Sequence, residues 1–483
     1  MRARIPWQWI ALFAAVKLAL TMSVAGRYGW HQDELYYLAS SRHLELGYVD
    51  YPAVVPLLAA ADQAIAPGSL VALRLLPAIA GSLIIVLTAL IARELGATSR
   101  GQAWAALAAF LSPMFIGGTL MFQTVAFDEL MWAIALLVLA RILREGGRGT
   151  WLVLGLVLGV GLETKFTIIA LVVAILLSLL IARRSVLATP WPWLGAAIAL
   201  VLLAPNLEWQ ATHDWVSVQY TLSHRGHTDG PVAYWLQQLL LINPLFLIPG
   251  IAGMAVLRRD ARFAPLVYTT VLVELIFFAS GGKAYYPAPI YPLVYAAGAM
   301  WVDQHAHRRW PVISYAAASV ALILVLLPVG LPVLDVHAMI AQNLWQTRPD
   351  YAQMIGWPEV AQETAQAYDA LPPDQRSGAV ILAHYYGEAG AIDYYGPALG
   401  LPSAVSPHLT YWYWAPARLD PRTAVLVNFT LDEGNRLFAD CRQVGSITNR
   451  YGIHNDEYGA PILVCSNPRK PLWQEWASLQ TLD

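Results

Sequence analysis

Long apolar runs separated by short polar connections fill the chain up to about residue 331. The runs are roughly 15–22 residues long, which is the length of a helix that crosses the hydrocarbon core of a bilayer. An apolar stretch at residues 53–66 is too short to span, and we expect it to lie on the membrane surface. The longer runs predict about eleven spanning helices, at residues 7–25, 72–91, 103–119, 125–141, 149–163, 167–182, 191–206, 235–256, 264–280, 287–302 and 311–331.

The pattern changes after Asp335, where short mixed segments are punctuated by Pro-Pro, Pro-Asp and Asn/Gly turns. A predicted helix at 357–371 precedes four predicted strands, at residues 379–383, 423–429, 443–447 and 461–465. Strands that alternate with helical stretches favour a small α/β domain. The fold class that we predict is therefore a polytopic α-helical membrane domain, residues 1–334, followed by an α/β domain, residues 335–483.

Composition supports this division. Of the 483 residues, 57% are hydrophobic and 13% are charged, whereas soluble proteins carry about 25% charged residues. A water-soluble fold of this length has no room to bury so much apolar surface, so membrane lipids are the expected surroundings. The formal net charge of −2 argues against nucleic acid as a partner, because such binding needs a basic face.

The basic residues give the predicted helices an orientation, because cytoplasmic loops are rich in Lys and Arg. With a cytoplasmic N-terminus, the cytoplasmic connections hold Arg93, Arg100, Arg141, Arg144, Arg148, Arg183, Arg184, Arg258, Arg259, Arg262, Arg308 and Arg309. The opposite connections hold fewer basic residues, namely Arg27, Arg42, Arg74, Lys165, Arg225 and Lys283. An odd number of spans then places the α/β domain outside the cytoplasm.

Both cysteines, Cys441 and Cys465, lie in the predicted α/β domain. An even pair confined to one domain favours a disulfide, and hence an oxidising compartment. The alternative is two buried free thiols.

The few external cations are candidates for binding an anion. Lys165, Lys283 and Arg74 each lie at the predicted outer edge of the bilayer, where together they are able to surround one phosphate. The alternative is that each side chain extends separately to a lipid headgroup.

Two pairs of acids lie on the same predicted face. Asp33 and Glu34 follow the first span directly, where a carboxylate is able to serve as a general base while its neighbour binds a hydroxyl or a cation. Asp128 and Glu129 begin the fourth span, and a shared acidic pocket is one interpretation. For both pairs the alternative is capping of a helix N-terminus.

Acids for proton abstraction and cations for a phosphate, both at lipid depth, suit transfer of a sugar from a lipid phosphate. The cations would stabilise the departing phosphate, and an acid would deprotonate an acceptor that attacks from the opposite side. This chemistry needs no cofactor, and assistance by a divalent ion stays open. The chain has no Gly-rich phosphate loop, no His/Cys zinc spacing and no Gly-x-Ser-x-Gly elbow.

At this point the residues resemble a known family. The segment from Asp33 to Pro77, with Asp50-Tyr51-Pro52 and Leu73-Arg74 inside it, resembles the opening of the C-type glycosyltransferases of family 39. That group contains the protein O-mannosyltransferases and the lipid A aminoarabinose transferases. Leu162-Glu-Thr-Lys165 and Gly282-Lys283-Ala-Tyr285-Tyr286-Pro287 resemble two further family signatures, in the same order along the chain.

The resemblance implies a polyprenyl-phosphate-sugar donor and inverting transfer on the periplasmic side of a bacterial inner membrane. Asp33 is then the expected base with Glu34 beside it, and Lys165, Lys283 and Arg74 are expected to bind the donor phosphate. The residues expected to line the substrate site are Tyr36, Tyr37, Asp50, Asp128, Tyr285 and Tyr286. The chain has Asp50-Tyr-Pro-Ala where the family usually has Asp-His-Pro-Pro, and it lacks the inserted domain of protein O-mannosyltransferases, so the acceptor stays open between glycan, lipid and protein.

Two segments of the predicted α/β domain carry candidate chemistry. Residues 384–388 follow the first strand at its carboxyl end, where α/β domains tend to bind ligands. They lie within the segment 379–396, which resembles the external domain of bacterial family members. The aromatic run 411–414 suits either stacking on sugar rings or packing onto the membrane domain.

Two other functions compete with sugar transfer. A transporter or flippase of lipid-linked substrates would show repeat symmetry and charges near the bilayer midplane, and no repeat is visible. A non-catalytic membrane scaffold would lack a pocket that unites Asp33 with the external cations.

Overall fold

The computed structural model describes residues 3–224, 230–305 and 309–482. Two arginines of the orientation argument, Arg225 and Arg308, lie outside the described residues. Within the described part, the first seventeen helices are α1 (Trp7–Met22), α2 (Gln32–Arg42), α3 (Val54–Ile65), α4 (Leu70–Glu94), α5 (Ser99–Phe110), α6 (Pro113–Gly117), α7 (Thr124–Glu145), α8 (Arg148–Leu162), α9 (Ile168–Ala182), α10 (Arg184–Leu187), α11 (Pro190–Thr212), α12 (Val216–Ser223), α13 (Pro231–Leu241), α14 (Pro244–Leu257), α15 (Ala264–Ala279), α16 (Tyr291–His305) and α17 (Arg309–Gly330).

The predicted spans coincide with helices, but two of them are broken. The run at 103–119 divides into α5 and α6, because Pro113 begins a new helix and cannot continue the old one. The run at 235–256 divides into α13 and α14, which are bent by 93° to each other. Asn243 between them has a φ of +64°, and Pro244 follows it. The predicted surface segment forms α3, whose place at the membrane surface stays a prediction.

Helix length supports fewer spans than the hydropathy pattern does. Among the described residues, three helices are both long and apolar enough to cross a bilayer, at Leu70–Glu94, Pro190–Thr212 and Ile313–Gly330, and the bent pair α13–α14 is a fourth candidate. Several others, such as α1 with 16 residues, are apolar but shorter. The count of eleven spans therefore stays a prediction.

The remaining part of the chain is a small mixed sheet with helices around it. Its helices are α18 (Val336–Ala341), α19 (Leu344–Thr347), α20 (Trp357–Asp369), α21 (Pro373–Arg376), α22 (Tyr386–Tyr395), α23 (Tyr411–Trp414), α24 (Leu431–Leu437) and α25 (Leu472–Leu479). Its strands are β1 (Val380–Ala383), β2 (Ala404–Val405), β3 (Thr423–Val427), β4 (Phe438–Ser446) and β5 (Pro461–Pro468). The strand order is β2-β1-β3-β5-β4, parallel from β2 to β3 and antiparallel from β3 to β4.

The four predicted strands are all present, and the two-residue strand β2 was not predicted. The central strand β3 is buried along its whole length, as its unbroken apolar sequence Thr-Ala-Val-Leu-Val requires. Cys441 on β4 lies opposite Cys465 on β5, and the two are joined in a disulfide.

One hydrophobic core connects this sheet with the beginning of the chain. It contains Leu35, Tyr36 and Tyr51 together with Ile381 and Val425. Burying apolar surface is the main favourable term in folding, so this shared core holds the sheet firmly against α2 and the loop that follows it.

Candidate active site

Asp33 begins α2 at a sharp turn in the chain. Tyr28 and Gly29 have positive φ angles of 66° and 95°, and they direct the backbone into the helix. The buried side chain of His31 caps the helix by accepting a hydrogen bond from the Asp33 backbone N–H at 3.1 Å. The sequence places Asp33 at a helix start, as the capping interpretation expected.

The carboxylate of Asp33 has two neutral hydrogen-bond donors and remains partly exposed. The Gln123 amide donates to Asp33 Oδ2 at 2.8 Å, and the Tyr386 hydroxyl donates to Oδ1 at 2.7 Å. Its side chain is 32% exposed, and no Lys or Arg forms an ion pair with it among the described residues. A carboxylate held by neutral donors and still open to a substrate has the geometry of a general base.

Glu34 and Arg74 differ from what the sequence predicted. Their side chains are completely buried and form an ion pair at 2.7 Å. Glu34 also accepts hydrogen bonds from the backbone N–H groups of His31 and Phe122, at 2.9 and 3.0 Å. Burial by itself would raise the pKa of Glu34, but the charge and hydrogen bonds of Arg74 and the two backbone donors hold it below the usual range.

The guanidinium of Arg74 has no donor left for a phosphate. Its five N–H groups are directed at the Glu34 carboxylate and at the carbonyl oxygens of Ala25, Arg27 and Gly29. This geometry favours a structural role for the pair, which ties α2, α4 and the turn before α2 together, over the predicted phosphate binding by Arg74 and catalysis by Glu34.

Three residues that the sequence predicts to line the substrate site, Tyr36, Tyr37 and Asp50, lie in the same region as Asp33. The Tyr36 hydroxyl is 3.2 Å from Asp50 Oδ1 and 2.7 Å from the Thr410 hydroxyl. Burial and the charge of Asp33 together raise the pKa of Asp50 to about 8. Burial and the same two carboxylates also raise the pKa of Tyr37. Asp50 is therefore largely protonated at neutral pH and able to donate a hydrogen bond.

The other two predicted cations, Lys165 and Lys283, lie near each other. Lys165 Nζ lies 5.4 and 5.3 Å from the ring centres of Tyr285 and Tyr286, close enough for cation–π attraction. Burial lowers the pKa of Lys165, Asp128 and Glu129 oppose that effect, and the charges of Lys283 and Asp33 also act on it. These groups therefore share one electrostatic neighbourhood.

Asp128 and Lys283 differ in how firmly they are held. Asp128 is buried and accepts hydrogen bonds from the Trp132 indole at 2.9 Å and the Thr167 hydroxyl at 2.7 Å. These two donors hold it near Lys165, and its burial leaves it closed to a substrate. Lys283 is exposed at the rim, where it is free to reach an anionic ligand.

Three residues at the site were not predicted as site residues. Gln123 and Tyr386 bind the Asp33 carboxylate, and Thr410 binds Tyr36. Tyr386 belongs to the segment singled out at the end of β1. It is 353 residues from Asp33 along the chain, so no local sequence pattern indicates that the two side chains are in contact.

The other candidates of the sheet region are structural. Trp414 stacks on His43 at 4.5 Å and donates to Glu45, so the aromatic run packs against the loop after α2. The His384 ring is 3.7 Å from Glu433, within the sheet region itself. No group of three or more His, Cys, Asp or Glu side chains is arranged to hold a metal ion in the part of the chain that the structure describes.

Comparison with known proteins agrees with the resemblance seen in the sequence. A family model described as dolichyl-phosphate-mannose-protein mannosyltransferase matches residues 50–209. The lipid A galacturonosyltransferase RgtD of Rhizobium johnstonii is 25% identical over 292 residues. That alignment covers 58% of this chain and 61% of the relative.

Solved structures show the same fold. ArnT from Cupriavidus metallidurans in the apo state matches with a TM-score of 0.61 and 16% identity, over 98% of this chain and 99% of that chain. Its structure bound to undecaprenyl phosphate matches with a TM-score of 0.59 and 15% identity, over 99% of both chains. The arabinofuranosyltransferase AftD from Mycobacteria matches with a TM-score of 0.54 and 14% identity, over 97% of this chain and 42% of that chain. Together these matches show that the chain has the fold of ArnT and that it is similar to integral membrane glycosyltransferases of the C type.

Proposed function

We propose that this protein transfers a sugar from a polyprenyl phosphate to an acceptor hydroxyl, with inversion at the anomeric carbon. Asp33 takes the proton of the acceptor hydroxyl, whose oxygen attacks the anomeric carbon. The bond between that carbon and the phosphate oxygen breaks, and the phosphate departs with the electron pair. Lys165 and Lys283 stabilise the charge that develops on it.

One observation carries the proposal. Asp33 is a partly exposed carboxylate held by neutral donors, in the same electrostatic neighbourhood as Lys165. A base and an anion site side by side are what inverting transfer from a sugar phosphate needs.

A cavity near these residues supports a donor with a lipid chain. An apolar cavity of about 460 Å³ lies among α13, α14, α15 and α16. One of its lining residues, Gln238, donates to the carbonyl of Ala284, next to the Tyr285 and Tyr286 rings. We propose that this cavity receives the polyprenyl chain, and the structure of ArnT bound to undecaprenyl phosphate supports a lipid of that class.

The acceptor that we propose is a glycolipid of the outer leaflet. The support is that the relative RgtD is named as a lipid A transferase. The family description names a protein mannosyltransferase, so a peptide acceptor is the competing outcome.

The test is donor consumption by purified protein, followed by mass spectrometry with a panel of polyprenyl-phosphate sugars and with glycolipid or peptide acceptors. Asp33→Asn is expected to slow transfer by roughly 10²- to 10⁴-fold, because that is what a general base contributes. Asp62→Asn is the matched control, since Asp62 lies on α3 and, among the described residues, its side chain is hydrogen-bonded only to Gln63. Full activity of Asp33→Asn would refute the base. No turnover of any donor would favour a transporter of lipid-linked substrates.

The proposal includes a location in the bacterial inner membrane, with residues 335–483 as a domain on the periplasmic side. The distribution of basic residues and the disulfide between Cys441 and Cys465 support it. In intact spheroplasts, a membrane-impermeant maleimide is expected to label Ser377→Cys and not Ser185→Cys. Both positions are exposed, and the second lies beside Arg183 and Arg184. Labelling of Ser185→Cys before membrane disruption would contradict the proposed orientation of the protein in the membrane.

A further inference from the structure

Helix α22 of the sheet region packs directly against α2. Asp33 is the second residue of α2. Two glycines one turn apart permit this close approach. A Cβ atom at Gly390 would lie 3.0 Å from the Leu35 Cβ and 3.1 Å from the Leu35 carbonyl carbon. A Cβ at Gly387 would lie 2.8 Å from the Trp357 ring and 3.4 Å from the Gln32 Cβ. The first residue of α22 is therefore held close to the start of α2.

That first residue, Tyr386, contacts the proposed base directly. Its hydroxyl donates to Asp33 Oδ1 at 2.7 Å. Its ring stacks between Tyr36, at 4.7 Å, and His408, at 5.3 Å with an interplanar angle of 8°. Burial raises the pKa of Tyr386 well above its ordinary value, and the charge of Asp33 raises it further, so the hydroxyl remains a donor.

Two donors therefore hold the two oxygens of one carboxylate. Gln123 binds Oδ2 from the α7 side and Tyr386 binds Oδ1 from the sheet side. Such donors restrict the rotation of the carboxylate. A carboxylate whose orientation is fixed is ready to accept a proton from a correctly placed hydroxyl.

We infer that Tyr386 is a positioning residue for Asp33, so that residues 335–483 complete the catalytic site instead of only covering it. This inference rests on the proposed function, in which Asp33 is the base. Thr410, from the same part of the chain, supports it from a second side through its 2.7 Å contact with Tyr36.

The test is the pH dependence of kcat/KM for Tyr386→Phe, which keeps the stacked ring and removes only the hydroxyl. The loss of one hydrogen bond to a charged group is expected to lower kcat/KM by about 10- to 100-fold. The acidic limb of the profile is expected to move to higher pH, because the remaining carboxylate binds its proton more tightly. The KM for the donor is expected to stay the same, because Tyr386 contacts neither lysine.

Tyr394→Phe is the matched control. Tyr394 lies on the same helix, and its hydroxyl also joins α22 to the beginning of the chain, through the Gly68 carbonyl at 2.9 Å. Because it does not touch Asp33, we expect this variant to keep both its rate and its pH profile. Equal slowing of both variants with an unmoved profile would show a structural role and overturn the inference.

A double variant separates this inference from the proposed function. If Tyr386 acts through Asp33, adding Tyr386→Phe to Asp33→Asn has little further effect. An active Asp33→Asn variant refutes the proposed function, whereas an inactive Asp33→Asn beside a Tyr386→Phe variant of normal rate and profile refutes only the role of Tyr386. Thermal unfolding of each variant identifies any that fails to fold.

Discussion

Asp33 and Glu34 are adjacent in the sequence, but their side chains have different surroundings. Adjacent positions on a helix point about 100° apart, so Asp33 faces the site while Glu34 faces the interior. Glu34 is neutralised by Arg74, with both side chains removed from solvent. Asp33 keeps neutral partners and an exposed fraction of its side chain.

The structural role of the pair is testable by breaking it. Glu34→Gln leaves the Arg74 charge buried without its partner, and we expect a loss of about 3–5 kcal/mol in the free energy of unfolding. Thermal unfolding in detergent measures it. The double variant Glu34→Leu with Arg74→Met, which removes both charges, is expected to recover much of that loss. A stable Glu34→Gln variant that fails to bind donor would instead return the pair to the substrate site.

The two lysines are expected to differ in their effect on donor binding. Lys165→Met removes a half-buried charge among Tyr285, Tyr286 and the acids of α7, and we expect the donor KM to rise by about tenfold or more. Lys283→Met removes an exposed charge, so its smaller effect should disappear at high salt. Titration of the donor at two ionic strengths measures both. Lys470→Met, in the sheet region and paired with Glu475, is the control. Equal, salt-independent effects would contradict this assignment.

At the scale of elements, close approach between helices matters more than their individual sequences. The two glycines of α22, Gly387 and Gly390, allow this helix to pack against α2. The sequence of α22 has no apolar periodicity that would predict this contact. The breaks within the predicted spans have local causes instead, namely Pro113, Asn243 and Pro244.

The contact between α2 and α22 predicts a steric effect. Gly390→Val would force the helices apart at Leu35, and overpacking of this kind costs about 1–3 kcal/mol. Because Tyr386 would move with the helix, transfer is expected to fall together with the melting temperature. Gly378→Val is the control, since nothing lies within 4 Å of a Cβ at that position. A normal melting temperature and rate for Gly390→Val would show that the two helices need not be this close.

At the scale of the whole molecule, the sheet region and the start of the chain form one hydrophobic core. That core carries buried acids, and burial raises the pKa of Glu388 to about 8 and that of Glu457 to about 7. The charge of Glu457 contributes to this raised pKa of Glu388. Both groups therefore hold protons at a pH where the unfolded chain has lost them.

Stability is thus expected to fall as pH rises. Above about pH 4.3 the unfolded Glu residues release their protons, while the folded Glu388 keeps its proton up to about pH 8. Folding then takes up a proton, and the free energy of unfolding decreases by about 1.4 kcal/mol per pH unit for each such group. Melting temperatures between pH 5 and 8 measure the slope. Glu388→Gln should make it shallower, and an unchanged slope would assign it to other groups.

The chemistry of the site was predictable to the extent that it resides in short motifs. Short local motifs singled out Asp33, Lys165, Lys283, Asp50 and the Tyr285-Tyr286 pair, whose roles stay predictions. The pairing of Arg74 with Glu34 was not predictable, because a charge at a helix start has the same sequence appearance whether it binds a ligand or a buried partner. Gln123 and Tyr386 were missed for a related reason, since neither has a local signature of contact with a carboxylate.

Amphipathic periodicity, turn residues and hydropathy are patterns among residues that are close together along the chain, so they predict local structure. The sequence by itself therefore determined the membrane class, the positions of most helices, the four longer strands and the resemblance to a known family. Contacts between distant segments depend on which surfaces bury each other, and that is settled only when the whole chain packs. The tertiary structure alone decided that Arg74 is neutralised internally, that α22 lies on α2, and that a tyrosine from the last third of the chain holds the carboxylate at its beginning.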